Sequence, residues 1–180
     1  MGQSHPPRKV MPIVAAFSCF PEALDWARNW VETRLGELAH VSPIFDFEQT
    51  DYYQLSMGPK LKKIFFAPRP LIDPAHLPRL KLDANAAEEE FRHQGIFPVS
   101  RPLNLDPGYL TEGKFVLAST KDHAHRLYIG EGVFAEITLG YQRRGWCLMP
   151  WTYPDYREPA YHAFLSECRD HYRRLLAEEG

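Results

Sequence analysis

A chain of 180 residues, 44% hydrophobic and 13% aromatic, has the length and apolar content of one folded domain and excludes a disordered polar chain. With 21 basic against 23 acidic side chains the formal charge is −2, so no global electrostatic pull toward nucleic acid or an anionic membrane exists. Cys19, Cys147 and Cys168 stand far apart with no C-x-x-C pair, which argues against a disulfide framework or a zinc site and fits reduced thiols in a cytoplasmic protein.

Residues 1–9, with Pro6-Pro7, read as a flexible arm, and residues 10–180 as a single domain. Arg8 and Lys9 before the apolar run 10–20 imitate a signal peptide. Pro12 interrupts that run, however, and Pro21-Glu22 opens a helix, so 10–19 read as a mostly buried first strand. No run approaches a membrane span, and Pro6 stands where a myristoylation signal needs Ser or Thr. From Pro21, the residues Leu24, Ala27, Val31, Leu35 and Leu38 recur at three or four, an amphipathic helix with proline in its first turn.

Residues 44–50 alternate as a half-buried strand, with Phe45 and Phe47 on one face and Asp46 and Glu48 on the other. Residues 61–66 follow as a strand with a basic lead-in. Pro68, Pro70, Pro74 and Pro78 punctuate the next stretch, and a helix is predicted from about Asp83 to His93, with Glu88-Glu89-Glu90 on a solvated face and Gly95 as its stop. Pro107-Gly108 predicts a tight turn, just after Asn104 and Asp106, which share a face. Residues 115–120, 126–129 and 133–141 form a predicted meander, with 146–150 as a short edge strand. An aromatic loop, WTYPDY, leads into a last helix with Tyr161, Phe164, Leu165, Cys168, Tyr172, Leu175 and Leu176 as its buried stripe.

Within the meander the register can be derived. If Gly130-Glu131-Gly132 is a three-residue hairpin loop, Ile129 faces Val133, Tyr128 faces Phe134, Leu127 faces Ala135, Arg126 faces Glu136 and His125 faces Ile137. Leu127, Ile129, Val133, Ala135, Ile137 and Leu139 then line one apolar face, while Arg126, Tyr128, Phe134, Glu136 and Thr138 line the other. The Arg126–Glu136 pair is either a wet cross-strand ion pair worth roughly 0.2–1 kcal/mol or the floor of a pocket.

No P-loop, G-x-G-x-x-G, H-E-x-x-H or G-x-S-x-G motif is present, which argues against a P-loop NTPase or a Rossmann enzyme. His123 and His125 read as loop histidines. The residues that point to chemistry are the carboxylates Asp46, Glu48, Asp106 and Glu136, hard oxygen ligands suited to Mg²⁺ or Mn²⁺. Asp106 and Glu136 are the candidate catalytic pair, and Asn104, Tyr109, Lys114, Lys121, His125 and Arg126 the candidate ligand-binding set, in which the cations suit a phosphate. The expectation is therefore a single α+β domain, its mixed or largely antiparallel sheet covered by helices. It binds a small phosphorylated molecule or nucleotide with a divalent metal, and turnover is left open. The alternative is a noncatalytic module in which Tyr52, Tyr53, Tyr109, Trp151 and Tyr153 form an aromatic surface for a protein or single-stranded RNA.

The segments NLDPGYL, KFVLASTKD, HRLYIG, FAEITL and WTYPDY, in this order, resemble the prokaryotic family catalogued as domain of unknown function 4416, over about residues 10–172. The resemblance implies one cytoplasmic domain and transfers no activity or catalytic residues. Some relatives carry a GTP-binding label, although this chain has no P-loop. Where the family pattern places Glu before Met57-Gly58, this chain has Ser56.

Overall fold

The computed structural model describes residues 2–47, 53–143 and 145–179, so Glu48 and Tyr52 lie outside the described residues. Nine strands form one sheet, antiparallel at every pairing among the described residues, and four helices accompany it. The strands are β1 (Met11–Ser18), β2 (Leu38–Val41), β3 (Phe45–Asp46), β4 (Lys62–Pro68), β5 (Asn104–Leu110), β6 (Lys114–Ser119), β7 (Leu127–Gly130), β8 (Val133–Gln142) and β9 (Gly145–Leu148). Their order is β2-β4-β1-β5-β6-β8-β7, with β3 against β4 and β9 against β8. The helices are α1 (Pro21–Leu35), the single turn α2 (Gln54–Met57), α3 (Leu77–His93) and α4 (Pro159–Glu179). The fold is α+β, and no helix among the described residues is long and apolar enough to cross a membrane.

β1 is apolar at seven of its eight positions and buried at all of them, because helices cover both faces of the sheet. On one face, Ala23, Leu24, Ala27 and Val31 of α1 and Ala84, Ala87 and Phe91 of α3 pack on Val14, Ala16, Ile64 and Phe66. On the other, Tyr161, Phe164, Leu165, Cys168 and Tyr172 of α4 pack on Met11, Ile13, Phe65, Phe115 and Leu139. Each Val, Leu, Ile, Phe or Met among them contributes about 1.5–3 kcal/mol when fully buried. The three cysteines are free, and burial pushes the Cys168 thiol far up, as befits a packing residue.

Five sequence expectations change. α1 ends at Leu35, with Gly36 at its C-terminus, and Leu38, read as part of its apolar stripe, opens β2. α3 begins at Leu77 rather than near Asp83, with Pro78 in its first turn, where a missing N–H costs nothing. Pro107-Gly108 is no turn but the middle of β5. The three strands after it are not a meander, since β8 inserts between β6 and β7. Glu88 is not on a solvated face; its side chain is 14% exposed and faces β5.

The hairpin register holds at Leu127–Ala135 and Tyr128–Phe134 and then slips, with Gly130 opposite Val133 and Ile129 as the extra residue. A second bulge leaves Thr138 without a partner between the pairs Val116–Ile137 and Phe115–Leu139. Leu139 consequently moves to the α4 face, while Val133 and Ala135 pack on the α3 face. Leu127, on the edge strand, is 76% exposed, so the expected apolar face is only partly covered.

Candidate functional site

β5 and β6 pair only from Gly108–Leu117 to Leu110–Phe115. Beyond Gly108 they part, β5 staying with β1 down to Asn104 and β6 with β8 up to Ser119. Gly108 is needed at the last pair, because a β-carbon there would stand 2.1 Å from the Val116 carbonyl oxygen. Pro107, which has no N–H to donate, occupies the next position, where the ladder ends.

Parting two central strands exposes backbone groups that must find other partners. α3 supplies them. The Leu105 N–H donates to Glu88 Oε1 at 2.7 Å, and Lys81 Nζ donates to the Leu105 carbonyl at 3.0 Å. The gap opens into a cavity of about 580 Å³ walled by β5, β6, α3, the loop after β6 and the 3-10 turn Pro154–Arg157.

Among the described residues, three ion pairs line this cavity. Lys63 of β4 meets Asp155 at 2.5 Å, with side chains 2% and 7% exposed. Lys81 meets Asp106 Oδ1 at 3.3 Å, and Asn104 Nδ2 donates to Asp106 Oδ2 at 2.8 Å. Arg101 extends this cluster, donating to the Asn104 side-chain oxygen and to Glu88 at 3.2 Å. Arg126 Nε donates to Glu136 Oε2 at 2.8 Å, with both side chains almost fully buried. The same guanidinium donates to Ser119 Oγ, the Lys121 carbonyl and Tyr153 Oη, while Thr138 donates to the other Glu136 oxygen.

Burial pushes the Asp106 carboxyl up, but Lys81, Lys63 and the Asn104 hydrogen bond outweigh it and hold the group below the usual carboxylate range. Burial, only partly offset by Lys81 and Arg101, pushes the Glu88 carboxyl the other way. The Tyr53 phenol is pushed up to about 12, first by burial and then by Asp106. It therefore stays neutral and able to donate.

Of the residues singled out from the sequence, Asn104, Asp106, Lys121, Arg126 and Glu136 come together at this cavity. His125 stands behind it, 3.0 Å from Glu136 Oε2 and stacked on Trp151. Lys114 and Tyr109 line a separate groove near Tyr172. Asp46 lies apart from the cavity, exposed and paired with Lys62. Among the described residues no group of three His, Cys, Asp or Glu side chains is arranged to hold a metal.

The sequence reading missed Lys63, Lys81, Arg101 and Asp155, although two of these left a trace. Lys63 alternates with core Phe65, and Lys81 falls on the buried stripe with Leu77, Leu80 and Ala84. A cation on an apolar stripe was the signal.

Residues 8–172 match the family model described as domain of unknown function DUF4416. The chain belongs to the DUF4416 family. No curated protein matches it, and no solved structure does. In this DUF4416 chain all five segments that carried the resemblance reach the site. Asp106 comes from NLDPGYL, Ser119 and Lys121 from KFVLASTKD, Arg126 from HRLYIG, Glu136 from FAEITL, and Tyr153 and Asp155 from WTYPDY. Ser56 is not among the cavity residues; its carbonyl accepts the Arg101 N–H at 2.9 Å.

Proposed function

We propose that this protein binds a small phosphorylated molecule, of sugar-phosphate or nucleotide size, in the cleft between β5 and β6. The observation that carries the reading is the charge inventory of the cavity. Among the described residues five cationic side chains, Lys63, Lys81, Arg101, Lys121 and Arg126, line it against three carboxylates, Asp106, Glu136 and Asp155. Lys63, Lys81 and Arg126 each meet one of these carboxylates within 3.3 Å and Arg101 meets Glu88 at 3.2 Å, yet cations outnumber carboxylates among these lining side chains, which suits an anion. A volume of about 580 Å³ falls in the range of small-molecule sites, and Phe17, Phe47, Tyr53 and Tyr156 give the apolar wall such ligands need.

Mg²⁺ or Mn²⁺ enters this reading as the phosphate's own counter-ion. Asp106, with a third of its side chain open, is the carboxylate able to meet it, whereas Glu136 is 1% exposed and holds Arg126 in place. A binding module built on an aromatic surface is the weaker reading. Tyr53 and Tyr153 line the cavity, but Tyr109 packs with Leu77 and Val116 on the α3 face, and Trp151 gives its indole N–H to the Ile137 carbonyl.

The test is a thermal-shift series of sugar phosphates and nucleotides with and without Mg²⁺. A ligand at one hundred times its dissociation constant stabilises by about 2.7 kcal/mol. The expected result is a shift with at least one phosphorylated compound, lost in Arg101→Met. Flat melting curves across the series would remove the reading.

A further inference from the structure

Anion binding leaves one cavity group unexplained. Lys63 sits on β4 between core residues, and its side chain is 2% exposed, a burial that lysine tolerates only when paired. The rings of Tyr156, Phe47, Phe65, Tyr161 and Phe17 stand 4.2 to 5.8 Å from Nζ. Asp155 Oδ2 is 2.5 Å away. For a purely structural buried pair, arginine is the better residue, because its guanidinium is weakly hydrated and forks onto a carboxylate. A lysine in the same position can hand on a proton and become a nucleophile, and aromatic pockets are where enzymes keep such lysines. Both members of the pair line the cavity, and Lys63 helps hold down the carboxyl of Asp106, another cavity residue. The buried Tyr156 hydroxyl, on the ring nearest Nζ, has no hydrogen-bond partner among the described residues.

We propose that Lys63 is an imine-forming lysine and that the cavity takes a phosphorylated aldehyde or ketone. This rests on the anion-binding reading and adds the reacting group to it. Lys63 passes one proton along its hydrogen bond to Asp155, and the neutral amine attacks the carbonyl carbon. A C–N bond forms as the carbonyl π pair moves to oxygen, and that oxygen takes up one of the two protons on the attacking nitrogen, giving a neutral carbinolamine. The carbinolamine then loses its hydroxyl and the nitrogen-bound proton as water, leaving C=N. No oxidant or reductant is consumed. The cationic side chains of the cavity hold the phosphate, and Tyr156 can donate to the carbonyl oxygen.

The test uses the full chain with glycolaldehyde phosphate, with glycolaldehyde as the uncharged control, and sodium cyanoborohydride to fix any imine before peptide mass spectrometry. The expected result is a reduced adduct on Lys63 about tenfold ahead of the exposed Lys60 and Lys62, because binding raises the local concentration of the carbonyl there. The phosphorylated aldehyde should label faster than the uncharged one, and glycerol 3-phosphate, which has no carbonyl, should slow the labelling. Adducts confined to exposed lysines would overturn the proposal. If glycerol 3-phosphate raises the melting temperature while Lys63 stays unlabelled, the imine falls and anion binding stands. If Lys63 labels equally with both aldehydes, the imine stands and the phosphate reading falls. With neither shift nor adduct, both fall.

Discussion

The two ends of the β5–β6 pair solve opposite problems within a few residues. At the Gly108–Leu117 end the strands lie so close that no β-carbon fits, and the backbone satisfies itself. At the Asn104–Ser119 end they have separated, and charged side chains of α3 bond the Leu105 backbone in place of a neighbouring strand. A sheet can thus hold a polar cavity near its centre, provided every backbone group that loses its strand partner gains a side chain. Glu88 and Lys81 are those side chains for Leu105.

Breaking the open end should have the largest effect. Glu136→Gln leaves Arg126 charged and buried at 2% exposure, and should cost about 3–5 kcal/mol in urea denaturation. A loss of well under 1 kcal/mol would mean that the pair behaves as a wet surface pair. The closed end is tested by Gly108→Ala, which must push β6 away and should cost about 1–3 kcal/mol. Unchanged stability there would show that the close approach is not needed.

Lys81→Met strips the Leu105 carbonyl of its donor and should cost about 1–3 kcal/mol, whereas Lys62→Met, at an exposed pair with Asp46, should stay within about 0.5 kcal/mol. Equal losses in the two variants would remove the claim that α3 replaces a strand.

The smallest effect is a difference in pH dependence. Asp106 has a depressed folded pKa, so its contribution is present above its unfolded value near 3.9 and lost as pH falls below it. Glu88 has a raised folded pKa, so the folded protein takes up this proton first and gains stability as pH falls toward about 4.3. Asp106→Asn should therefore flatten the acid loss of stability below about pH 4, and Glu88→Gln should remove the gain above it. Identical pH profiles for the two variants and the parent chain would contradict this assignment.

Neither end was fully legible in the sequence, and what could be read was what local spacing reaches. Apolar runs and alternation located seven of the nine strands but not β2 or β5, and a constant index sum placed Arg126 beside Glu136, because these signals are local. The bulges at Ile129 and Thr138 were not visible, since an extra residue leaves no mark until the partner strand is known. Pro107-Gly108 misled because the same dipeptide suits a turn and the end of a ladder, and only the approach of Val116 separates the two. Lys63 with Asp155 and Lys81 with Asp106 join positions 92 and 25 residues apart, a pairing that no spacing rule reaches.

The central claim, that the parted end of β5 and β6 is an anion site, is tested most directly by anomalous diffraction from crystals soaked in tungstate, a heavy mimic of phosphate. The expected result is a tungsten peak in the cleft, within hydrogen-bond distance of Arg101, Lys121 or Arg126. Tungsten bound at exposed arginines such as Arg28 or Arg79, with the cleft holding only water, would contradict it.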